Sequence, residues 1–391
     1  MGRSMTLAAA SLPDEARAGV AVERRQYLTL DGLRGVAALS VVVLHTPHFF
    51  DQWHLPYSFL AVDLFFILSG FVLAAAYEAR FQSGLTPAGF VRLRLIRLYP
   101  LYLLGTAIGI PVALMSMKYA GSGLSVDWSP GVFALSLPLS LVMLPTPTAG
   151  TDGFLYPLNP VLWTILFEVA VNGLYAVLAA HLRSNRRLGA LVAAAAVALV
   201  GSVLTTDVLE GGATWFTLGV GVSRMMFSFF CGVLVFRLRR PTKVQSSLAS
   251  VALLIILLVL LGLPHTRLSA LATILLLFPA LVIVASVIEP GRSLRRLFGL
   301  LGVTSYAVYA IHKPLYQILL GLLIIAAPVK PQTLAPWIGI GYLFLVFGVC
   351  VLIDRLYDTP FRRLLASLAQ DRAVRADQVD QSDPTARSRS I

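Results

Sequence analysis

Apolar residues run along this 391-residue chain in long blocks separated by short polar joints. A helix needs about 20 predominantly apolar residues to cross a bilayer. Ten blocks meet or approach that length: approximately 32–50, 61–79, 99–117, 160–180, 188–205, 215–236, 247–263, 269–288, 301–325 and 336–356. A further apolar stretch, 131–144, is shorter and interrupted by Pro138, so it is expected as an external interfacial or re-entrant piece. The pattern predicts an all-α, polytopic integral membrane protein of about ten transmembrane helices. One transmembrane domain is expected over 27–363, between polar tails at 1–26 and 364–391, the second of which has no apolar face and is expected to be disordered.

Basic residues give these blocks a direction. All of the 31 Lys and Arg except Arg34, Lys118, Arg224, Arg267, Lys313 and Lys330 fall in the tails and joints on one side of the ten blocks. By the positive-inside rule that side is cytoplasmic, which places both termini in the cytoplasm. Composition adds weight: 57% of residues are hydrophobic, 13% are charged and the mean hydropathy is +0.80. A soluble domain averages about 25% charged residues, so no large soluble domain is left to explain. The formal charge of +12 does not point to nucleic acid, because the basic residues form short clusters between apolar runs and no continuous basic face. Cys231 and Cys350 sit singly in apolar runs, without metal-ligand spacing. ERRQYLT near the N-terminus is faintly like a twin-arginine export signal, but no small-residue cleavage site follows Pro47, and removal is not expected.

Ionisable residues inside such blocks are costly, on the order of 2.5–3.5 kcal/mol each at the bilayer centre, and therefore mark candidate chemistry. In LDGLRGVAALSVVVLHTPHF, Arg34 and His45 are eleven residues apart. That separation is roughly 16 Å along a helix but only about 20° around it, so both lie on one stripe. A cation at the mouth and a base deeper in suits an anionic ligand; snorkelling to lipid phosphates accounts for Arg34 equally well. Asp63, at the external end of the second block, is placed to neighbour His45 and orient its ring, or to cap its own helix. Arg94 and Arg97 share a helical face and, with Arg92, suit phosphate groups, or anchor the chain to lipid headgroups. Glu168 lies mid-block with no basic neighbour in its own helix and must find a partner on another helix or stay protonated. His312 and Lys313 lie midway along the ninth block, where Pro314 frees backbone carbonyls. Arg224 and Asp354 are expected to pair with partners on other helices.

Five of these segments together resemble the acyltransferase-3 family of membrane-bound acyltransferases, in the family's order and across about residues 27–363. A basic residue, ten residues and a histidine are similar to Arg34 and His45. DLFFILSGF, RLRLIRLYP, WTILFEV and SYAVYAIHKP resemble the family's later elements, and bring Asp63, Arg92, Arg94, Arg97, Tyr99, Glu168, His312 and Pro314. The chain departs from the family where a terminal Glu-x-Pro becomes Asp358-Thr359-Pro360. The resemblance implies transfer of an acyl group, usually acetyl, from cytoplasmic acyl-CoA to a sugar hydroxyl of a surface glycan. It implies His45, Asp63, Glu168 and His312 as catalytic residues, with Arg34, Arg92, Arg94, Arg97 and Tyr99 binding acyl-CoA. On this reading His45 is the general base or carries the acyl group briefly, and Asp63 or Glu168 orients it.

The expected partners are acyl-CoA as co-substrate, a glycan or glycolipid acceptor and the lipid bilayer of a bacterial inner membrane, with room for a homo-oligomer. No tightly bound cofactor, metal or nucleic acid is expected. Two rival readings stand beside this one. The acceptor is the sugar of a secondary metabolite such as a macrolide, or the protein is a glycolipid transporter or flippase whose polar residues line a path.

Overall fold

A computed structural model of the chain describes residues 27–53, 55–119, 128–147, 152–326 and 330–368. The expected N-terminal tail lies outside the described residues, and so does most of the C-terminal one. Nearly all of the described chain is helical. Among the described residues, eight helices are long and apolar enough to cross a membrane, and they coincide with eight of the ten expected blocks.

The first block is not one helix. Helix α1 (Leu28–Leu44) stops at His45, and the following segment Pro47–Trp53, which opens with α2 (Pro47–Phe50), is bent 88° from it. Proline lacks an N–H and disfavours helical geometry in the residue before it, here Thr46 at φ −124° and ψ 52°. The Thr46 hydroxyl donates to the Val42 carbonyl at 2.8 Å, satisfying a group the break leaves open. His45 therefore occupies the end of a helix, not its interior.

The second helix is α3 (Ala61–Gln82), followed by α4 (Pro87–Lys118), which begins twelve residues before the expected block because Arg92, Arg94 and Arg97 dilute its hydropathy. The short α5 (Pro130–Leu141) covers about 18 Å, too little to cross a bilayer. It turns Ser136 and Ser140 inward and its leucines outward. Three phenols hold its C-terminal end: Tyr99 donates to the Leu141 carbonyl, Tyr102 to Ser140 and Tyr156 to Met143, at 2.6–2.8 Å. After it come α6 (Trp163–Leu178), α7 (Asn185–Thr206) and α8 (Leu218–Leu238).

Helix α9 (Ser247–Gly262) covers about 24 Å, less than the roughly 30 Å of a hydrocarbon core. Next are α10 (Arg267–Ala272) and α11 (Phe278–Val287), joined by a π-helical turn at Thr273–Leu277. Helix α12 (Arg292–Ala326) is 35 residues long, and α13 (Trp337–Ile353) continues through a second π-helical turn at Asp354–Asp358 to residue 368, past the expected boundary at 363. The strands β1 (Val244–Gln245) and β2 (Ile288–Glu289) form a two-residue parallel ladder at the arginine-rich end.

The tightest packing joins α1 to α12 and α3 to α8. At the second crossing a Cβ on Gly70 would lie 2.0 Å from the Phe229 carbonyl oxygen, and one on Gly232 would lie 2.0 Å from that of Ile67. Only glycine permits that approach, as in small-residue packing between membrane helices. The pairing of α1 with α12 sets the site, because each carries one of its histidines.

Candidate active site

At the end of α1, Nδ1 of His45 lies 2.8 Å from Nε2 of His312 on α12. The two rings stack with centroids 5.1 Å apart and planes 17° from parallel. His312 is fully buried and His45 is partly buried. The direction of this hydrogen bond follows from the far side of His312. Its Nδ1 faces the carbonyls of Val308 at 3.0 Å and Tyr309 at 2.9 Å. Carbonyl oxygens only accept, so Nδ1 of His312 carries the proton. In the neutral ring Nε2 must then accept, which makes Nδ1–H of His45 the donor. What remains is Nε2 of His45 with its lone pair free. The backbone of α12 thus dictates a basic nitrogen on α1.

The backbone that does this is itself secured. Pro314 cannot donate to the Ala310 carbonyl four residues earlier. Asn159 supplies the missing donor, its Nδ2 lying 2.8 Å from that oxygen and 3.2 Å from the Gly105 carbonyl. The hydroxyl of Tyr342 on α13 donates to the His312 carbonyl at 2.5 Å. One turn further along α12, the Tyr316 hydroxyl meets Nδ1 of His48 at 2.6 Å, so the histidines on either side of the α1–α2 break both have a partner on α12. Nothing in the sequence reading singled out Asn159, Tyr342 or His48. The Pro314 position, with its orphaned carbonyl, was the usable signal for Asn159.

Toward the arginine-rich end lies a second polar region. Arg94 on α4 makes an ion pair with Glu168 on α6 at 2.7 Å, and the Ser69 hydroxyl of α3 reaches the same carboxylate oxygen at 3.3 Å. Glu168 thus finds its partner on another helix. Arg97 pairs with the buried Asp358 at 3.6 Å; Arg362 meets Asp358 at 2.8 Å and Asp354 at 3.6 Å. Arg34 donates to Asp31 at 2.8 Å and to the Gly302 carbonyl at 2.9 Å. Arg97 lies within electrostatic reach of both Arg34 and Arg94. The sequence-derived picture of a bare arginine clamp changes here, because Arg34, Arg94 and Arg97 each face a carboxylate. The Tyr99 hydroxyl has its one proton committed to Leu141, which leaves it none to donate to a donor phosphate. Arg92 is exposed on α4.

Asp63 also departs from expectation. It does not partner His45 and does not cap α3; Arg224 of α8 takes both its oxygens, with Nη2 at 2.5 Å and Nε at 3.2 Å. Ser228 donates to the same carboxylate at 3.3 Å, while Arg224 also reaches the carbonyls of Phe59 and Gly211. Asp63 and Arg224 are both buried. This pair ties α3 to α8, and the side chain that meets the His45 ring is that of His312. Between the two regions, the Thr164 hydroxyl donates to that of Tyr309 at 3.0 Å, and the Tyr309 ring centroid is 6.0 Å from that of His312.

A family model described as an acyltransferase domain matches residues 27–355. Protein 2 in picA locus of Rhizobium radiobacter is 37% identical over 182 residues, which span 45% of this chain and 94% of that protein. No solved structure matches the chain.

Proposed function

The chain belongs to the acyltransferase-3 family of membrane acyltransferases, and from that membership we propose that it moves an acyl group, acetyl above all, from cytoplasmic acyl-CoA to a sugar hydroxyl of a surface glycan. The proposal places it in a bacterial cytoplasmic membrane with the arginine-rich end inside. One observation carries the reading: the basic Nε2 of His45, whose tautomer is imposed by His312.

The proposed reaction needs one base and returns its proton. Nε2 of His45 takes the proton of the acceptor hydroxyl as the oxygen attacks the thioester carbonyl carbon. The tetrahedral intermediate collapses, the carbon–sulfur bond breaks, and the thiolate leaves with the proton from Nε2. Ester and free coenzyme A thiol result, and the enzyme is unchanged. While His45 is an imidazolium, its Nδ1–H shares charge with His312, which leans on the carbonyl dipoles of Val308 and Tyr309. An imidazole here does the orienting that a carboxylate does in hydrolase triads. The half-buried Lys313, within electrostatic reach of both rings, supplies positive charge for the developing oxyanion. On this reading the thioester arm runs past the Arg94–Glu168 pair and Tyr309 toward His45, and the acceptor arrives from the side of exposed His48.

Membranes carrying wild-type and His45→Ala protein at matched levels test this by release of coenzyme A thiol from acetyl-CoA in the presence of glycan acceptor. Acceptor-dependent release that His45→Ala abolishes is expected. Near-normal turnover in the variant defeats the role of His45, and absence of thiol release from the wild type, as a transporter would show, defeats the reaction.

A further inference from the structure

Because the inner arginines are matched by carboxylates, the phosphates of the donor need another place. A cavity of about 580 Å³ opens at the arginine-rich end between the C-terminal parts of α3, α6 and α8 and the start of α4. That is within the range of small-molecule sites, roughly 300–1,000 Å³. Arg183, Arg237 and Arg239 line it, against the single carboxylate of Glu78. Arg237 neutralises Glu78 at 2.7 Å and holds the Leu182 carbonyl at 2.6 Å. The Arg239 guanidinium lies 3.7 Å from the centre of the Phe236 ring. Arg183 sits on the turn between α6 and α7, and its guanidinium makes no hydrogen bond or ion pair with the described residues. The cavity therefore carries a surplus of guanidinium, the group best suited to two-pronged contact with phosphate. The rings of Phe81, Tyr175 and Phe236 supply flat apolar walls beside those charges.

Its position matters as much as its charge. Pro87 lines the cavity and Arg94 is seven residues further along α4; Tyr175 lines it and Glu168 is seven residues back along α6. On both helices the Arg94–Glu168 pair lies about 10 Å deeper. From Tyr175 to Thr164 is about 16 Å of helix rise, and Thr164 leads through Tyr309 to His312. A ligand with an anionic head in the cavity and a long polar arm along this ladder presents the end of that arm to His45.

We propose that this cavity is the nucleotide subsite of the donor: it takes a nucleoside bearing a phosphate and pyrophosphate, held by Arg183 with Arg237 and Arg239, while the arm passes Arg94 and Glu168. This rests on the acyl-CoA reading above and moves the phosphate contacts away from Arg92, Arg94 and Arg97.

The full-length protein in phosphatidylcholine nanodiscs, which hold no anionic lipid, is titrated calorimetrically with coenzyme A and with adenosine 3′,5′-bisphosphate. Arg183→Glu is expected to weaken both by about tenfold or more, Arg183→Lys by less, and Arg296→Glu, an equal charge change on exposed α12 surface, not at all. Arg183 is exposed, and an unchanged melting temperature shows that the variant is folded. Equal binding by wild type and Arg183→Glu overturns the subsite while leaving acyl-CoA as the donor. Displacement of coenzyme A by added phosphatidylglycerol, lost in Arg183→Glu, assigns the cavity to lipid headgroups and also overturns it. If the wild type neither binds coenzyme A nor releases it from acetyl-CoA, the donor reading and the subsite fall together.

Discussion

Replacing His312 by leucine removes the acceptor for Nδ1–H of His45 while filling similar space. Two effects follow from the geometry. The His45 tautomer is no longer imposed, so Nε2 carries the proton in part of the population and is then no base. The imidazolium formed during transfer also loses its only hydrogen bond at Nδ1, made at 2.8 Å in the wild type. A hydrogen bond to a charged group contributes about 1.5–3 kcal/mol. At about 1.4 kcal/mol per tenfold, kcat should fall roughly 10- to 150-fold. Since His312 touches neither the cavity nor the passage arginines, the KM for acyl-CoA should hardly move, the mark of an interaction made mainly in the transition state. His312→Gln, whose side-chain carbonyl can accept from His45, should recover part of the rate. Thiol release from acetyl-CoA at saturating acceptor, in membranes with matched protein, measures all three. A His312→Leu enzyme within threefold of wild type would falsify the dyad, as would a variant in which only KM changes.

Other features yield their own tests. Arg224→Leu leaves Asp63 buried without a countercharge and should cost about 3–5 kcal/mol, seen as loss of monodisperse protein on heating in detergent; Arg224→Met with Asp63→Leu should regain much of it, and equal instability of the two would argue against the ion pair. Glu168→Gln and Arg94→Gln should each reduce turnover more than half as much as the double variant, because the residues act on one another at 2.7 Å; strict additivity would show them uncoupled. Asn159→Ala strands the Ala310 carbonyl, a loss of about 1–3 kcal/mol, and should lower both melting temperature and kcat; an unaltered melting temperature would remove Asn159 from the support of α12. Lys313→Met should depress kcat about tenfold or more without altering coenzyme A affinity, and an unaffected rate would exclude it from oxyanion stabilisation.

Much of the architecture was legible in the sequence because bilayer thickness and hydropathy act locally, residue by residue. Where sequence and structure part, a specific residue explains it. Pro47 breaks the first block, and Arg92, Arg94 and Arg97 hide the start of α4 from a hydropathy window. Paired charges were harder to read. Asp63 and His45 lie near the same ends of neighbouring blocks, which made them plausible partners, but no spacing rule reveals that Arg224, 161 residues away, occupies Asp63. The same holds for His312, 267 residues from His45. Each histidine was visible as an ionisable group in an apolar run, whereas their contact is a property of α1 against α12. Asp358 shows the intermediate case: its departure from the family pattern was evident, as was Arg362 one helical turn on, whereas its contact with Arg97 on α4 is a property of the packing.

The closed end of the dyad bears on what kind of machine this is. In the proposed reaction a proton taken by His45 can be shared with His312, but the far nitrogen of His312 faces carbonyl oxygens of its own helix and meets no further acceptor among the described residues. On the proposed mechanism, protons arrive at and leave from one atom, Nε2 of His45. A pump or proton-coupled transporter needs the opposite, a relay with two open ends on opposite sides of the membrane. Group transfer from a thioester fits a one-ended base, since the hydroxyl that gives up a proton and the thiolate that receives one are both present at the same carbon. The hydroxyl proton ends on the thiol, so the reaction is expected to release or take up no free proton on either side of the membrane. Sealed proteoliposomes carrying a trapped pH indicator should show turnover with no change of internal pH attributable to the enzyme. Acidification or alkalinisation in proportion to acyl transfer would mean that His312 opens onto a path that its carbonyl contacts deny.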